Sequence, residues 1–256
     1  MKMIIQGYNK SIHKKNNQII IKEKDNIIYR ISPKKISNIL IIGKGYITFD
    51  VLSLISQNNI PLLSTNNYGH IEYILTTPNN DNILLRKKQY KISDNYGGVQ
   101  ISKEIIKSKM NNQYYTLKTL NKNKKNLDVN QLKNEIKNNI KILEKLEITE
   151  DSEIIKNKIR GIEGITSVKY WKAISILLSD EINFKTRDQK PSNDVVNSML
   201  NYGYAILASE ITKIILIENL DPYCGFLHSD LNKRKSLTYD LIEEFRQQIV
   251  DKTVFH

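Results

Sequence analysis

A single cysteine, Cys224, rules out an internal disulfide and any multi-cysteine zinc or iron–sulfur site. No apolar run approaches the roughly 20 residues that span a bilayer, and the start, Met1-Lys2-Met3-Ile4-Ile5-Gln6-Gly7, lacks the apolar core of a signal peptide. A soluble, cytoplasmic protein with no membrane partner is therefore expected. Internal repeats and coiled-coil heptads are missing, no short metal-binding pattern is present, and Gly43-Lys44-Gly45 is too short to be a phosphate loop. Arginine occurs only at positions 30, 86, 160, 187, 234 and 246, so the positive charge is almost all lysine.

What is abundant is charge of one sign. A net charge of +12 and a pI near 9.4 favour a polyanionic partner, and nucleic acid is the commonest such partner inside cells. The richness in Asn, Ile and Lys also fits AT-biased coding. The stretch Lys122, Lys124, Lys125, Lys133, Lys137, Lys141 and Lys145 reads as a solvated helix face rather than a groove for DNA.

The length, 256 residues, accommodates two domains, each with its own core. Residues 1–77 read as a small β domain with strands at 2–8, 18–23, 27–31, 38–42, 61–64 and 70–75. Asn16-Asn17, Lys24-Asp25-Asn26 and Asn67-Tyr68-Gly69 supply its turns. Phe49, Val51, Leu52, Leu54 and Ile55 place one helix at 48–58, after Gly43-Lys44-Gly45. Residues 78–82 are polar and aperiodic and form a linker. Residues 83–256 carry helix-spaced apolar positions over 83–92, 98–120, 128–146, 153–157, 164–178, 191–218 and 238–250, with Gly97-Gly98 as a helix breaker. The fold class is α+β, a β-sheet domain followed by a mainly α-helical one.

Three side chains in the helical half point to chemistry: Glu163 in Arg160-Gly161-Ile162-Glu163-Gly164, His228 after Gly225-Phe226-Leu227, and Glu243 in Asp240-Leu241-Ile242-Glu243-Glu244-Phe245-Arg246. Two carboxylates and an imidazole can hold a divalent ion and leave positions open for water and phosphate oxygens, which suits metal-assisted phosphodiester chemistry on DNA. Mixed oxygen and nitrogen ligation suits Mn²⁺ somewhat better than Mg²⁺. Glu163, between two glycines near a helix start, could instead cap backbone amides. Positions three or four apart share a helix face, so Asp240 or Glu244 could replace Glu243 or support it. Lys233, Arg234, Lys235 and Arg187 are candidates for DNA phosphates. Tyr170, Trp171, Tyr202 and Tyr204 read as core aromatics rather than stacking platforms.

The order of these pieces resembles the CRISPR-associated integrases of spacer acquisition, the Cas1 family, over nearly the whole chain. The landmarks are Leu85-Arg86-Lys87-Lys88-Gln89-Tyr90, Lys109-Met110-Asn111-Asn112-Gln113, Arg160-Gly161-Ile162-Glu163-Gly164 with Tyr170-Trp171, Phe184, Arg187, Asn193-Asp194-Val195-Val196-Asn197-Ser198-Met199-Leu200, Tyr202-Gly203-Tyr204, Leu220-Asp221-Pro222-Tyr223 and Gly225-Phe226-Leu227-His228. The resemblance selects Glu243 as the third ligand. It implies Mn²⁺ or Mg²⁺ at Glu163, His228 and Glu243, and attack of a 3′-hydroxyl or water on duplex DNA. It further implies dimerisation through the β domain and two dimers flanking a dimer of a second, small adaptation protein. Members of this family continue for several helices beyond Glu-Glu-Phe-Arg, whereas this sequence ends at Val254-Phe255-His256, and Gln247 stands where proline is usual. Weaker support for the Glu243 helix is expected from that. The rivals are a non-catalytic DNA-binding or assembly subunit and a general metal nuclease of DNA repair.

Overall fold

The computed structural model describes residues 1–67, 69, 71–75, 83–148, 151–178, 182, 184–188, 194–228 and 234–255. The expected linker at 78–82 lies outside the described residues, as do His70 and Lys233. The chain forms two compact units, Met1–Arg86 with Thr212–Leu220, and Lys87–Ile211 with Asp221–His256. Both halves of the α+β reading are present: a mixed sheet comes first and helices follow.

The first unit is a six-stranded sheet in the order β3-β2-β1-β4-β5-β6. Its strands are β1 (Lys2–Lys15), β2 (Gln18–Glu23), β3 (Asn26–Ile31), β4 (Asn38–Ile47), β5 (Leu62–Thr65) and β6 (Ile71–Leu75). β4 runs parallel to β1 and β5; the other pairs are antiparallel. The β1–β2 hairpin turns on Asn16 and Asn17, with φ of 49° and 57°, the left-handed pair that a two-residue hairpin needs and that Asn tolerates. Lys24, at φ 51°, turns the β2–β3 hairpin.

β1 and β4 both run past the ends expected from sequence, so that Gly43-Lys44-Gly45, expected beyond the strand, lies inside β4. The cause is close backbone approach. A Cβ on Gly43 (φ 123°) would sit 2.3 Å from the Gly7 carbonyl oxygen, and one on Gly45 would sit 2.0 Å from that of Lys10. Glycine therefore lets pairing continue across the irregularity between Gly7 and Lys10. α1 (Phe49–Gln57) buries Val51, Leu54 and Ile55 in one apolar core with Met3, Ile5, Ile12, Ile19, Ile39 and Leu62.

In the second unit the long helices α3 (Tyr96–Lys124), α4 (Leu127–Lys145) and α5 (Ser152–Leu177) pack on one another, after α2 (Ile83–Ser93). Asn95, Asn126 and Asp151 cap them by accepting from the backbone N–H of Gly97, Val129 and Glu153. Gly97-Gly98 is not a breaker but the first turn of α3. A Cβ on Gly98 would meet the Ile92 oxygen at 2.5 Å, so only glycine lets α3 start this close to α2.

α5 is continuous where sequence suggested two helices. Gly161 and Gly164 have nothing within 4 Å of a Cβ, and burial of Ile155, Ile159, Thr166 and Tyr170 along one face carries the helix across their weak propensity, about 1 kcal/mol each. Glu163 is thus mid-helix, which removes the capping alternative.

α6 (Val195–Ile217) is the one described helix long and apolar enough, by length and composition, to cross a membrane; Leu200, Tyr204, Leu207, Ile211 and Ile215 along it are buried. The helix expected at 238–250 is broken. α7 (Ser236–Ile242) ends in a turn at Glu243–Phe245, a π-helical segment follows over Arg246–Asp251, and α8 (Lys252–Phe255) closes the described chain. Wide π turns re-aim side chains, a common device at functional sites.

Candidate active site

The cavity of interest lies within the helical unit and measures about 1110 Å³. Glu163, His228 and Glu243 all line it, together with Lys109, Arg160, Arg187, Arg234 and Arg246. Five permanent cations against two carboxylates leave the wall electropositive, a setting for phosphate.

The segment Asp221–His228 is held by residues far away in sequence. Gln89, on α2, donates Nε2 to the carbonyl oxygens of Asp221 (2.8 Å) and Cys224 (2.9 Å) and accepts from the Asp221 N–H (2.9 Å). Arg160, on α5, donates to the Leu227 carbonyl at 2.8 Å.

Asp240, on α7, completes the loop. Its fully buried carboxylate accepts from the N–H groups of Phe226 (2.5 Å), Leu227 (3.0 Å) and His228 (3.2 Å), and from His228 Nδ1 at 2.5 Å. With Nδ1–H donated to a carboxylate, the neutral imidazole keeps its lone pair on Nε2, the arrangement usual for metal-ligating histidines. Gly225 permits this packing, since a Cβ there would sit 2.7 Å from Ser236 Cβ and 2.9 Å from Asp240 Oδ2.

The two glutamates meet on Lys109. This lysine comes from α3, with 8% of its side chain exposed, and its Nζ lies 2.5 Å from Glu163 Oε1 and 2.7 Å from Glu243 Oε2. The first contact is a hydrogen bond and the second a buried ion pair. Arg246 approaches the other oxygen, Oε1, at 3.1 Å, and Ser167 donates to Glu163 Oε1 at 2.8 Å. Burial opposes the Lys109 charge, but Glu243 and Glu163 outweigh it and hold the ammonium pKa above its ordinary value. Burial likewise opposes ionisation of Glu243, and Lys109 and Arg246 overcome it, so the Glu243 pKa is lowered.

Among the described residues no three His, Cys, Asp or Glu side chains form a ready cation-binding cluster. The donor chemistry nevertheless suits a hard divalent ion: two carboxylates whose oxygens Glu163 Oε1 and Glu243 Oε2 face a single cation, and an imidazole oriented by Asp240.

Of the other residues singled out from sequence, Arg187 and Arg234 line the cavity, while Lys235 is the N-terminal flank of α7 and is not on its wall. Glu244 also stays off the wall; its backbone oxygen accepts from Asn112, and burial raises its carboxyl pKa. Tyr170 and Tyr204 are buried and Tyr202 is exposed. Both buried hydroxyls donate to Asp251, Tyr170 at 2.7 Å, and Arg187 and Arg246 stack on the Tyr204 ring, 5.3 and 4.8 Å from its centre.

No role for Lys109, Arg160 or Arg246 follows from the sequence patterns. For Lys109 a signal existed: it interrupts the apolar stripe Ile105, Ile106, Met110 and Leu117 of α3, where an unpaired charge would be costly.

A family model described as CRISPR associated protein Cas1 matches residues 3–256. A relative in Methanobrevibacter ruminantium, CRISPR-associated protein Cas1 3, is 54% identical over 257 residues, covering 100% of this chain and 77% of its own length. CRISPR-associated endonuclease Cas1 1 of Archaeoglobus fulgidus is 35% identical over 265 residues, covering 99% and 77%. Among solved structures, a casposase bound to its integration product superposes with a TM-score of 0.71 at 27% identity, over 99% of this chain and 75% of that one. A partial Cas6-RT-Cas1–Cas2 complex gives 0.77 at 20% identity, over 100% and 75%, a likeness of fold.

Proposed function

The chain belongs to the CRISPR-associated Cas1 family, and from that premise we propose that it is a divalent-metal-dependent DNA endonuclease and integrase that inserts spacer DNA into a CRISPR array. The observation that carries the reading is the convergence of Glu163, on α5, and Glu243, in the turn that follows α7, on one point of an arginine-rich cavity that His228 also lines.

Glu163, His228 and Glu243 would hold Mn²⁺ or Mg²⁺. Such an ion supplies Lewis-acid activation of a scissile phosphate and a lowered pKa for an attacking water or DNA 3′-hydroxyl. Asp240 holds His228 in the tautomer that offers Nε2 and anchors the loop bearing it. Arg187, Arg234 and Arg246 neutralise phosphates; the first two carry over the DNA-binding roles expected of them, and Arg246 joins them. Strand transfer and hydrolysis then differ only in the nucleophile. Duplex binding weakens as salt rises, in proportion to the phosphates contacted.

The family reading also brings partners. Exposed Tyr8, Tyr46, Phe49 and Tyr73 suit the sheet unit to homodimerisation. A small second adaptation protein is the other partner, as Cas2 accompanies Cas1 in the solved complex, with two dimers flanking a partner dimer. A DNA-binding subunit without catalysis is the second reading, favoured by the Lys109 ammonium already satisfying both carboxylates.

One experiment separates them. Incubated with duplex bearing free 3′-hydroxyls and a repeat-containing plasmid in Mn²⁺, the wild-type chain joins or nicks DNA, EDTA abolishes this, and Glu163→Gln loses it while still binding duplex. Undiminished nicking by Glu163→Gln would refute the catalytic reading, and binding without any nicking would favour the second.

A further inference from the structure

Among the described residues Lys109 is the one cation in contact with both candidate metal-binding carboxylates, through the oxygens Glu163 Oε1 and Glu243 Oε2. Its ammonium is enclosed, and its charge is sustained by those two glutamates against the penalty of burial. Arg246 neutralises Glu243 further through Oε1. Two carboxylates, one ammonium and one guanidinium leave the cluster without net charge. An ion entering beside an undisturbed Lys109 would find those two oxygens engaged and a positive charge at their centre, which is unfavourable in a poorly solvated site.

We infer that Lys109 is the resident counter-cation of the Glu163–Glu243 pair and that a divalent ion binds there by displacing it. The inference rests on the metal reading above and adds to it a competitor built into the chain. The ammonium keeps two facing carboxylates folded together before any ion arrives, and it sets the affinity at which the ion enters. Because the competent state is only the fraction of molecules in which Lys109 has let go, the apparent dissociation constant exceeds the intrinsic one by the inverse of that fraction. Methionine at 109 keeps the length and apolar stem of lysine and deletes the competitor.

The test uses Mn²⁺ binding to the full chain without DNA, followed by electron paramagnetic resonance of the free ion, alongside thermal unfolding. For Lys109→Met, Mn²⁺ binds at least about tenfold more tightly than for wild type, the size expected if no more than about a tenth of molecules are competent at rest. In EDTA this variant melts below wild type, and Mn²⁺ raises its melting temperature by more. Equal or weaker binding by Lys109→Met, with wild-type binding abolished by Glu163→Gln, overturns the displacement and leaves the metal site standing. No binding by either chain overturns both.

If Lys109→Met fails to fold, the wild-type ¹⁵N-lysine spectrum decides, with the Lys109 ammonium signal assigned through Lys109→Arg. Saturating, diamagnetic Mg²⁺ shifts or broadens that signal if the ammonium is displaced, and an unchanged signal in Mg²⁺-bound protein overturns the proposal.

Discussion

In the strands and α1 of the sheet unit, the buried polar side chains are Ser11, Ser64 and Thr65, all neutral, set among Met3, Ile5, Ile12, Ile19, Ile39, Ile55 and Leu62. In the helical unit, residues 87–211 with 221–256, burial extends to Lys109, Asp240, Glu243 and Asp251. Each of these four is partnered: Lys109 with two glutamates, Asp240 with His228 and three backbone amides, Asp251 with two tyrosines. Apolar burial alone would hold helices together, and an interior ion pair is often no more stabilising than well-packed hydrophobes. The contrast teaches that the core formed by the strands and α1 is organised for stability, while the helical unit retains charge that stability does not require. Lys109 and Glu243 combine a shifted pKa with a place on the cavity wall, the mark of a functional site.

The largest effect that sharpens this contrast belongs to the sheet. Ile55→Ala, at a fully buried site on α1, lowers stability by about 2–5 kcal/mol. In urea unfolding the loss is the same at acid and neutral pH and unaffected by Mn²⁺; a loss that varies with either would break the comparison.

Asp251 responds the other way. Burial raises its pKa from 3.8 to about 6, with the two tyrosine hydroxyls and Arg246 opposing the rise. The folded carboxyl holds its proton more tightly than the unfolded one, so its contribution to stability is complete below about pH 3.8 and is lost as pH climbs through about 6. That loss is about 3 kcal/mol. Asp251→Asn removes it, so the stability of wild type relative to the variant, measured in urea, falls by this amount between about pH 4 and pH 7. A constant difference would assign the burial of Asp251 no electrostatic cost.

The smallest effect is at Asp240. Removing an outer partner of a ligating histidine costs roughly 10–100-fold in metal affinity or activity. Asp240→Asn therefore weakens Mn²⁺ binding and nicking in parallel, within that range. Unchanged Mn²⁺ affinity would detach His228 from the ion.

Much of the fold is legible in local sequence. The strands begin near the residues their alternation and turns indicate, because Asn-Asn at 16–17 and the polar turn at 24–25 set hairpins over a few residues. Helix positions after 83 follow the apolar period for the same short-range reason. Where the reading failed, packing had overridden propensity. α5 runs through Gly161 and Gly164, β4 runs through Gly43 and Gly45, and the 238–250 helix breaks at Glu243.

For the site, the sequence by itself determined which residue types were at hand and in what order: Glu163, His228 and Glu243, the neighbouring Asp240, the family they point to, and a surplus of positive charge. Only the tertiary structure decided that Lys109, 54 residues before Glu163, lies between the two glutamates, and that Gln89, 132 residues before Asp221, clamps the loop bearing His228. The physical reason is range. Turn chemistry and helical period act between residues a few positions apart and leave their imprint on the string. The charge that a buried carboxylate meets is chosen by how helices pack, and no local pattern carries that choice.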